Sequence, residues 1–250
     1  MDTKQVGLCL GFLGLLLLSF HAQAYEEVAV ANGGMIKGTV KIQGTPPKLP
    51  TFPVTKFKDV CKTFPNETLV IGPKQGVRYA VVALEGIAKG KAVEKEAVHE
   101  LDNVTCRFVP HVQAASVGQF LLLKNSDPIL HTAHAYFEGG ERFHAPPQPQ
   151  FNVGLYPGRI SRKPLVSPGV AKILCEVHPW MIAYIVVTEH PYHAVTDIYG
   201  EYEIRDVPPG NYRLKVWHES LGIQEKQVEV KGGAVSNVDF LLAATLGAKK

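Results

Sequence analysis

The sequence predicts an all-β protein built from β-sandwiches. Short runs of β-branched or alternating residues recur along the chain, at residues 35–43, 79–84, 116–124, 169–174, 182–188, 200–204 and 212–217. Glycine and proline turns separate these runs, at residues 157–158, 168–169, 208–210 and 232–233. Regular short strands divided by such turns favour sandwiches over alternating strand–helix units. Only residues 92–101 have a weakly helical pattern.

The first 24 residues have the form of an export signal. Lys4 supplies a positive start, residues 6–20 form an apolar run, and Ala22-Gln23-Ala24 matches a cleavage site. The run is short for a membrane span, and no later segment is as hydrophobic. We therefore expect a signal peptide at residues 1–24, a periplasmic or secreted mature protein, and no membrane span after cleavage. A retained N-terminal anchor is the alternative.

Charge and size narrow the functional classes. The chain carries a formal net charge of +3, and its basic residues are scattered rather than gathered in a run. Nucleic acid is therefore not an expected partner. Of the 250 residues, about 226 remain after the signal, which is enough for one large domain or two small ones.

The cysteine count leaves two possible pairings. Cys9 leaves with the signal, so the mature chain has Cys61, Cys106 and Cys175. In an oxidising compartment thiols pair unless something holds them. One solution is a disulfide between Cys61 and Cys106, with Cys175 kept as a thiolate by a metal; the other is a disulfide from Cys175 and one stray thiol. The residues that follow Cys175 favour the first solution.

Residues 175–181, with the sequence Cys-Glu-Val-His-Pro-Trp-Met, are the most informative segment of the chain. Cys175, His178 and Met181 are each three residues apart, on one tight loop between two apolar strands. A thiolate, an imidazole and a thioether form a soft ligand set that suits copper, and His131 is the candidate fourth ligand. The competing interpretation is a Cys and a Met packed in the core, with His178 on the surface.

Residues 100–190 resemble the cupredoxins (the plastocyanin/azurin superfamily), and most closely the short-loop amicyanin type. The Cys-x-x-His-Pro-x-Met loop matches without a gap, and so does the upstream pattern Asn125-x5-His131-x-x-His134. The resemblance implies a cupredoxin Greek-key β-sandwich and one type 1 copper held by four side chains, His131, Cys175, His178 and Met181. The chain departs from the family at Thr132, where an asparagine that braces the cysteine sulfur is usual.

The other histidines near this motif are given lesser roles. Positions 131 and 134 face opposite sides of a strand, so His134 is expected to be a neighbour of the site and not a ligand. His111 and His144 are expected to be solvated in polar loops, and a second metal site at His134 or His144 stays open. Trp180 either forms an apolar docking collar beside a solvent-facing His178 or packs beneath the loop.

A second resemblance covers the end of the chain. Residues 194–242 closely resemble the carboxypeptidase regulatory-like fold, a small transthyretin-like β-sandwich, with a Thr196-Asp197 hairpin. The Gly-Thr-Val strand that opens that fold occurs far upstream, at residues 38–40. We therefore hypothesise that residues 33–86 and 192–243 form one split sandwich into which a copper domain at 100–190 is inserted. Separate domains in a row are the alternative.

The motifs favour an electron carrier over an enzyme. The sequence has no CxxC pair, HExxH, Walker loop, GxGxxG turn or GxSxG elbow. Four protein ligands would leave copper no open position for a substrate. The leading hypothesis is a carrier of single electrons between redox proteins, such as a c-type cytochrome, an oxidase or a dehydrogenase. The alternatives are copper capture and delivery, a copper enzyme in which Met181 is unbound, and a non-redox cell-surface binding module.

Overall fold

A computed structural model of the protein describes residues 24–138 and 148–244. The all-β prediction is confirmed, since the only helical segment in these ranges is a 3-10 turn at Pro73–Gln75. No helix in the same ranges is long and apolar enough to cross a membrane. His144 and all but the last residue of the predicted signal peptide lie outside the described residues.

The strands follow one another in short units. The first nine are β1 (Glu26–Glu27), β2 (Gly34–Gln43), β3 (Val81–Glu85), β4 (Lys89–Gly90), β5 (Val98–Asn103), β6 (Phe108–Val109), β7 (Val112–Ser116), β8 (Phe120–Asn125) and β9 (His131–Glu138). The others are β10 (Gln148–Leu155), β11 (Ile160–Pro164), β12 (Gly169–Leu174), β13 (Ile182–Thr188), β14 (His193–Val195), β15 (Glu201–Val207), β16 (Gly210–His218), β17 (Gly222–Val230), β18 (Val235–Asn237) and β19 (Phe240–Ala243).

Strands β5 to β13 form what we call the first sandwich. Its five-stranded sheet has the order β10-β9-β12-β13-β7, and its four-stranded sheet has the order β11-β8-β5-β6. Alternate residues of these strands enter one core, as Leu121 and Leu123 do from β8. The weak helical prediction for residues 92–101 is wrong, because Leu101 is buried in this core on β5, which pairs in parallel with β8. Pairing and burial outweigh a weak local preference there.

Strands β2, β3 and β14 to β19 form the second sandwich. One sheet has the order β14-β3-β16-β17; the other has the order β15-β2-β18, with β19 also paired to β2. Strands from both ends of the chain therefore share both sheets. The insertion hypothesis requires that β2 and β3 pair with the C-terminal strands, as they do here. The exact domain boundaries, at residues 33–86, 100–190 and 192–243, stay a prediction.

Glycine is required at position 38 of β2 by a close approach of the backbone. A Cβ atom there would lie 1.9 Å from the carbonyl oxygen of Val238. That separation is far below van der Waals contact, so any side chain would push the two strands apart. Residue 38 also pairs with Tyr202 of β15, so the Gly-Thr-Val strand is enclosed on both edges. The glycine of this motif is thus explained by packing in the second sandwich.

The two sandwiches contact each other through an apolar cluster. Its buried members are Tyr79, Val81, Val112, Ala114 and Tyr184. The rings of Tyr184 in the first sandwich and Trp217 in the second lie 5.2 Å apart. His111 is only 3% exposed and pairs with Glu219 of the second sandwich, so the expectation that it is solvated is wrong. The partner that buries it lies 108 residues away in the sequence.

We expect His218, at the end of β16, to make the stability of the protein depend on pH. Burial lowers its pKa to about 4, whereas an unfolded histidine titrates near 6.5. The unfolded chain therefore binds more protons between these values, and stability falls as the pH drops from about 6.5 to 4, by up to about 3 kcal/mol. Urea unfolding at several pH values measures this loss. In His218→Asn the loss should shrink, because asparagine binds no proton in this pH range. The fold should tolerate the change, since the amide oxygen can still accept the Ser220 N–H; an unchanged pH slope would contradict the prediction.

Candidate metal centre

Residues 175–181 form a tight loop because two paired strands fix both of its ends. β12 and β13 are antiparallel up to the pair Leu174 and Ile182. Inside the loop, the Cys175 N–H donates to the Met181 carbonyl at 3.2 Å, and the Met181 N–H donates to the His178 carbonyl at 2.9 Å. The loop backbone is thereby closed on itself, and its side chains are held in fixed positions at one end of the first sandwich.

His131 reaches the same place from the neighbouring strand. It is the first residue of β9, which pairs with β12. The turn before it is organised by Asn125, whose amide donates to the carbonyls of Ile129 at 2.8 Å and Leu155 at 2.7 Å. Side chains at the ends of adjacent strands lie close together. The histidine therefore faces the loop that follows β12.

Three of the four predicted ligands come together. One donor atom from each of His131, Cys175 and His178 lies within 4.8 Å of the other two. The Cys175 sulfur is 3.9 Å from Nδ1 of His131 and 3.6 Å from Nδ1 of His178. Met181, the fourth predicted ligand, is buried in the same loop. A thiolate and two imidazoles that converge from two backbone segments form a donor set of the kind that copper prefers.

Asp127 orients His131 through the ring nitrogen that faces away from the sulfur. Its carboxylate lies 3.0 Å from Nε2 of His131 and also accepts the N–H groups of Thr105 at 2.6 Å and Cys106 at 2.8 Å. A carboxylate accepts, so Nε2 carries the hydrogen and Nδ1 keeps its lone pair towards Cys175. Sequence reasoning missed Asp127, although an acidic residue four positions before a candidate ligand was a visible signal.

Burial favours the neutral form of both histidines. Burial, followed by the nearby His131 and Lys56, lowers the pKa of His178 to about 4. Burial also lowers the pKa of His131, even though Asp127 acts in the opposite direction. Only the neutral imidazole has a lone pair to offer a metal, and burial disfavours the cation. At neutral pH both rings are therefore in the state that coordination needs.

The cysteine pairing decides which thiol is available. Cys61 and Cys106 form a disulfide, and Cys175 is free and buried, so the predicted disulfide is confirmed and the alternative pairing through Cys175 is wrong. Two other groups of nearby donor atoms in the described residues each contain a cysteine of that disulfide. A disulfide sulfur is not a thiolate. The group of His131, Cys175 and His178 is therefore the one with a free thiol.

Thr132 provides hydrogen bonds to the Cys175 sulfur at the position where the resemblance drawn from the sequence led us to expect an asparagine. Its backbone N–H lies 3.4 Å from the sulfur, and its hydroxyl lies 3.8 Å away. The same hydroxyl accepts the Glu176 N–H at 2.7 Å, which ties β9 to the start of the loop. The hydrogen bond from the backbone N–H to the sulfur does not depend on which side chain residue 132 carries. It is therefore present with threonine at this position.

His178 does not face the solvent, which corrects the sequence-based expectation. Its exposed fraction is 0%, and its Nε2 atom is buried without a hydrogen-bond partner among the described residues. The ring of Phe57 lies 5.5 Å from it at an interplanar angle of 68°. Trp180 lies 5.2 Å away on the inside, where its Nε1 donates to the Cys106 carbonyl, so it packs beneath the loop and is not part of an exposed collar.

A segment that we call the strap, residues 51–64, provides this cover. It follows β2 of the second sandwich, but its apolar side chains pack on the core of the first sandwich, namely Phe52, Val54, Val60, Cys61 and Phe64. The disulfide from Cys61 to Cys106 fastens it there. Sequence reasoning missed the strap because nothing in its composition indicates a contact with a loop more than 100 residues away.

His134 lies on the opposite face of β9, as its spacing from His131 predicts. Its Nδ1 is 2.6 Å from a Glu176 carboxylate oxygen and 2.7 Å from the Tyr136 hydroxyl. Among residues 24–138 and 148–244, no group of three or more metal-binding side chains includes it. A second metal site at His134 therefore has no support in the described residues, and the one considered at His144 lies outside them.

The fold and the site together define an all-β chain of two sandwiches, one of which contains a cluster of copper-type donors. Residues 181–243 match the family model described as the carboxypeptidase regulatory-like domain. The matched range includes β13, which the structure places in the first sandwich, and then β14 to β19 of the second. No curated protein matches the chain.

Part of this chain is similar to several solved structures. They include a Cu-containing nitrite reductase from Thermus scotoductus SA-01, with 24% identity, 43% of this chain and 27% of that chain covered, and a TM-score of 0.30. A purple cupredoxin from Nitrosopumilus maritimus has 20% identity, coverages of 37% and 100%, and a TM-score of 0.30. Amicyanin from Paracoccus versutus has 12% identity, coverages of 38% and 84%, and a TM-score of 0.30. The chain thus spans about a quarter of the nitrite reductase, and each likeness covers less than half of this chain.

Proposed function

We propose that the protein is an exported type 1 copper protein that carries single electrons between redox partners, and that it is not an enzyme. The observation that carries this proposal is the convergence of one free thiol and two Nδ1 atoms, from Cys175, His131 and His178, at one buried point. Bound copper supplies a one-electron couple between its Cu(I) and Cu(II) states. Met181 would add a weak fourth ligand through its thioether sulfur.

The surroundings of the donor atoms suit electron transfer because they resist movement. Paired strands hold both ends of the ligand loop, Asp127 fixes the tautomer of His131, and the strap encloses His178. Donor atoms that are held in place before the metal binds need little rearrangement when its charge changes. The chain's own residues would therefore position the metal, exclude water and brace the sulfur.

Burial of the donors argues against copper delivery and against catalysis at this site. His131 and His178 have no exposed surface, and Cys175 is almost as buried. A delivery protein has to let the ligands of an acceptor reach the metal, and an enzyme has to admit a substrate. Electrons need neither opening. The disulfide between Cys61 and Cys106 supports the proposed periplasmic or secreted location, since such bonds persist in oxidising compartments.

The first test is the visible absorption spectrum of the mature chain after addition of one equivalent of Cu(II). We expect an intense thiolate-to-copper band that Cys175→Ser abolishes. His131→Gln should weaken or remove the band, while His134→Gln, three residues along on the opposite face, should preserve it. A colourless wild-type protein, or a band that survives Cys175→Ser, would refute the proposed site.

A second prediction concerns Met181. We expect Met181→Leu to retain copper and an intense band but to raise the reduction potential, because loss of a weak thioether donor would disfavour Cu(II) more than Cu(I). The two side chains have similar volumes, so the fold should tolerate the change. Voltammetry of both proteins measures the difference. An unchanged spectrum and an unchanged potential would show that the thioether is not a ligand.

A further inference from the structure

Phe57 is the residue that connects the buried His178 to the surface. Its side chain is 50% exposed, whereas His178 is completely enclosed. The two rings meet nearly edge to face, with centroids 5.5 Å apart. A molecule that contacts this end of the first sandwich would therefore touch Phe57 and not the imidazole. Within the ligand loop, Glu176 and Pro179 are exposed, and the Glu176 carboxylate is paired with His134.

The backbone holds Phe57 in a conformation that bulky residues seldom adopt. Its φ angle is +51°, in the left-handed region. The N–H groups of Val60 and Cys61 both donate to the Phe57 carbonyl, at 2.9 Å and 2.7 Å, and Cys61 is fixed by its disulfide. Such conformations persist only where the surroundings enforce them, and they are concentrated at functional positions. The turn thus holds the aromatic ring over His178 even though the left-handed backbone of Phe57 is energetically unfavourable.

The exposed surface around Phe57 is basic. Lys56, Lys58 and Lys62 are exposed, and Asp59 is the one carboxylate in the strap. None of the three lysines forms an ion pair with a described residue, so their charges are free for a partner. Lys56 and Lys58 are the immediate neighbours of Phe57 in the chain. An exposed aromatic ring surrounded by unpaired positive charge is complementary to an acidic surface with an apolar centre.

We propose that Phe57 and the lysines Lys56, Lys58 and Lys62 form the docking surface for an acidic redox protein, with the electron crossing between the partner and His178 at Phe57. The statement that an electron crosses at Phe57 rests on the proposed function. The statement that an acidic protein binds to Phe57 and the three lysines does not. In each transfer one electron would pass between the partner's redox centre and the copper held by His131, Cys175 and His178, so that one centre is oxidised by one electron and the other is reduced by one. No covalent bond forms or breaks.

The docking surface is tested by NMR of the mature chain, a measurement that does not depend on electron transfer. The chain is used in a diamagnetic state, which is either free of copper or loaded with Cu(I). The added ion is hexacyanochromate(III), a paramagnetic trianion that does not exchange electrons with the protein. We expect the strongest broadening at the amides of residues 55–62. Lys56→Glu with Lys58→Glu should abolish it. The matched control, Lys74→Glu with Lys89→Glu, makes the same change in charge outside the strap, in the 3-10 turn and on β4, and should leave the broadening unchanged. Broadening centred elsewhere, or equal effects of the two pairs, would overturn the docking surface.

Electron transfer is then measured from the reduced, copper-loaded chain to hexacyanoferrate(III). At low ionic strength the Lys56→Glu, Lys58→Glu pair should slow the reaction by about tenfold or more, and added salt should remove the difference. Phe57→Ala should alter the rate by uncovering the imidazole, whereas Tyr199→Ala, an exposed aromatic residue on the second sandwich, should not. If copper never binds, the NMR result still decides the docking surface. If the blue band is present and both pairs of variants behave alike, the docking surface fails while the copper site stands.

Discussion

Replacing Asp127 by alanine is expected to lower the stability of the protein by about 3–5 kcal/mol, because this buried carboxylate accepts hydrogen bonds from three N–H donors. Alanine would leave the N–H groups of Thr105 and Cys106 and the Nε2–H of His131 without that acceptor, and Cys106 and His131 are buried. The same change frees the His131 ring to rotate or to change tautomer. Copper affinity should therefore fall by about 10–100-fold.

Two measurements check this prediction independently. Urea unfolding of the metal-free protein reports the lost stability, and titration against a competing chelator reports the copper affinity. Asp59→Ala, which removes an exposed carboxylate from the strap, is the matched control and should change neither quantity appreciably. If Asp127→Ala unfolded at the wild-type urea concentration and bound copper with the wild-type affinity, Asp127 would have no role in orienting His131.

Removal of the disulfide is expected to cost a similar amount for a different reason. The bond between Cys61 and Cys106 closes a loop with a sequence separation of 45 residues. In the chain-entropy account, loss of such a cross-link lowers the free energy of unfolding by about 4 kcal/mol, because the unfolded chain gains freedom. The double variant Cys61→Ala, Cys106→Ala should therefore unfold at a clearly lower denaturant concentration. The strap would lose its attachment beside the ligand loop, and His178 should become accessible to solvent.

Denaturant unfolding and hydrogen exchange test the two halves of this second prediction. The unfolding midpoint measures the stability, and exchange of the amides in residues 51–64 measures release of the strap. Cys175→Ala removes a cysteine without breaking a cross-link and serves as the control for both. Wild-type exchange rates in the strap of the double variant would show that apolar packing alone, through residues such as Phe52 and Phe64, is enough to hold the strap in place.

Much of the fold was predictable because it depends on local patterns. Alternating apolar residues predicted the segments that became β2, β12 and β13, since one face of each strand must be buried. Strand β5 was not predicted: the charged and polar residues of Val98–Asn103 show little alternation, and pairing with β8 decides its conformation. The union of β2 and β3 with the C-terminal strands could only be hypothesised from the Gly-Thr-Val motif, because strand pairing leaves no local mark.

The ligand set was predictable because most of its members are close together in the sequence. The residues that cover the site were not predictable because they are far from it in the sequence. Cys175, His178 and Met181 lie within seven consecutive residues, and the spacing of residue types with copper-binding chemistry is visible in the sequence. The position of Phe57 depends on a chain path that leaves the second sandwich, crosses the first and is fixed by a disulfide. His111 was misjudged on similar grounds, because its partner Glu219 belongs to the other sandwich.

The sequence by itself determined the all-β class and the candidate copper ligands, including the two that follow Cys175 in the same loop, His178 and Met181. Alternation, ligand spacing and residue chemistry are local properties of the chain. Only the tertiary structure decided that the donor atoms of His131, Cys175 and His178 converge, that Asp127 sets the tautomer of His131, and that the strap encloses His178 beneath Phe57. These features depend on contacts between segments far apart in sequence. Their energy comes from burial and from hydrogen bonds that exist only when the chain is folded.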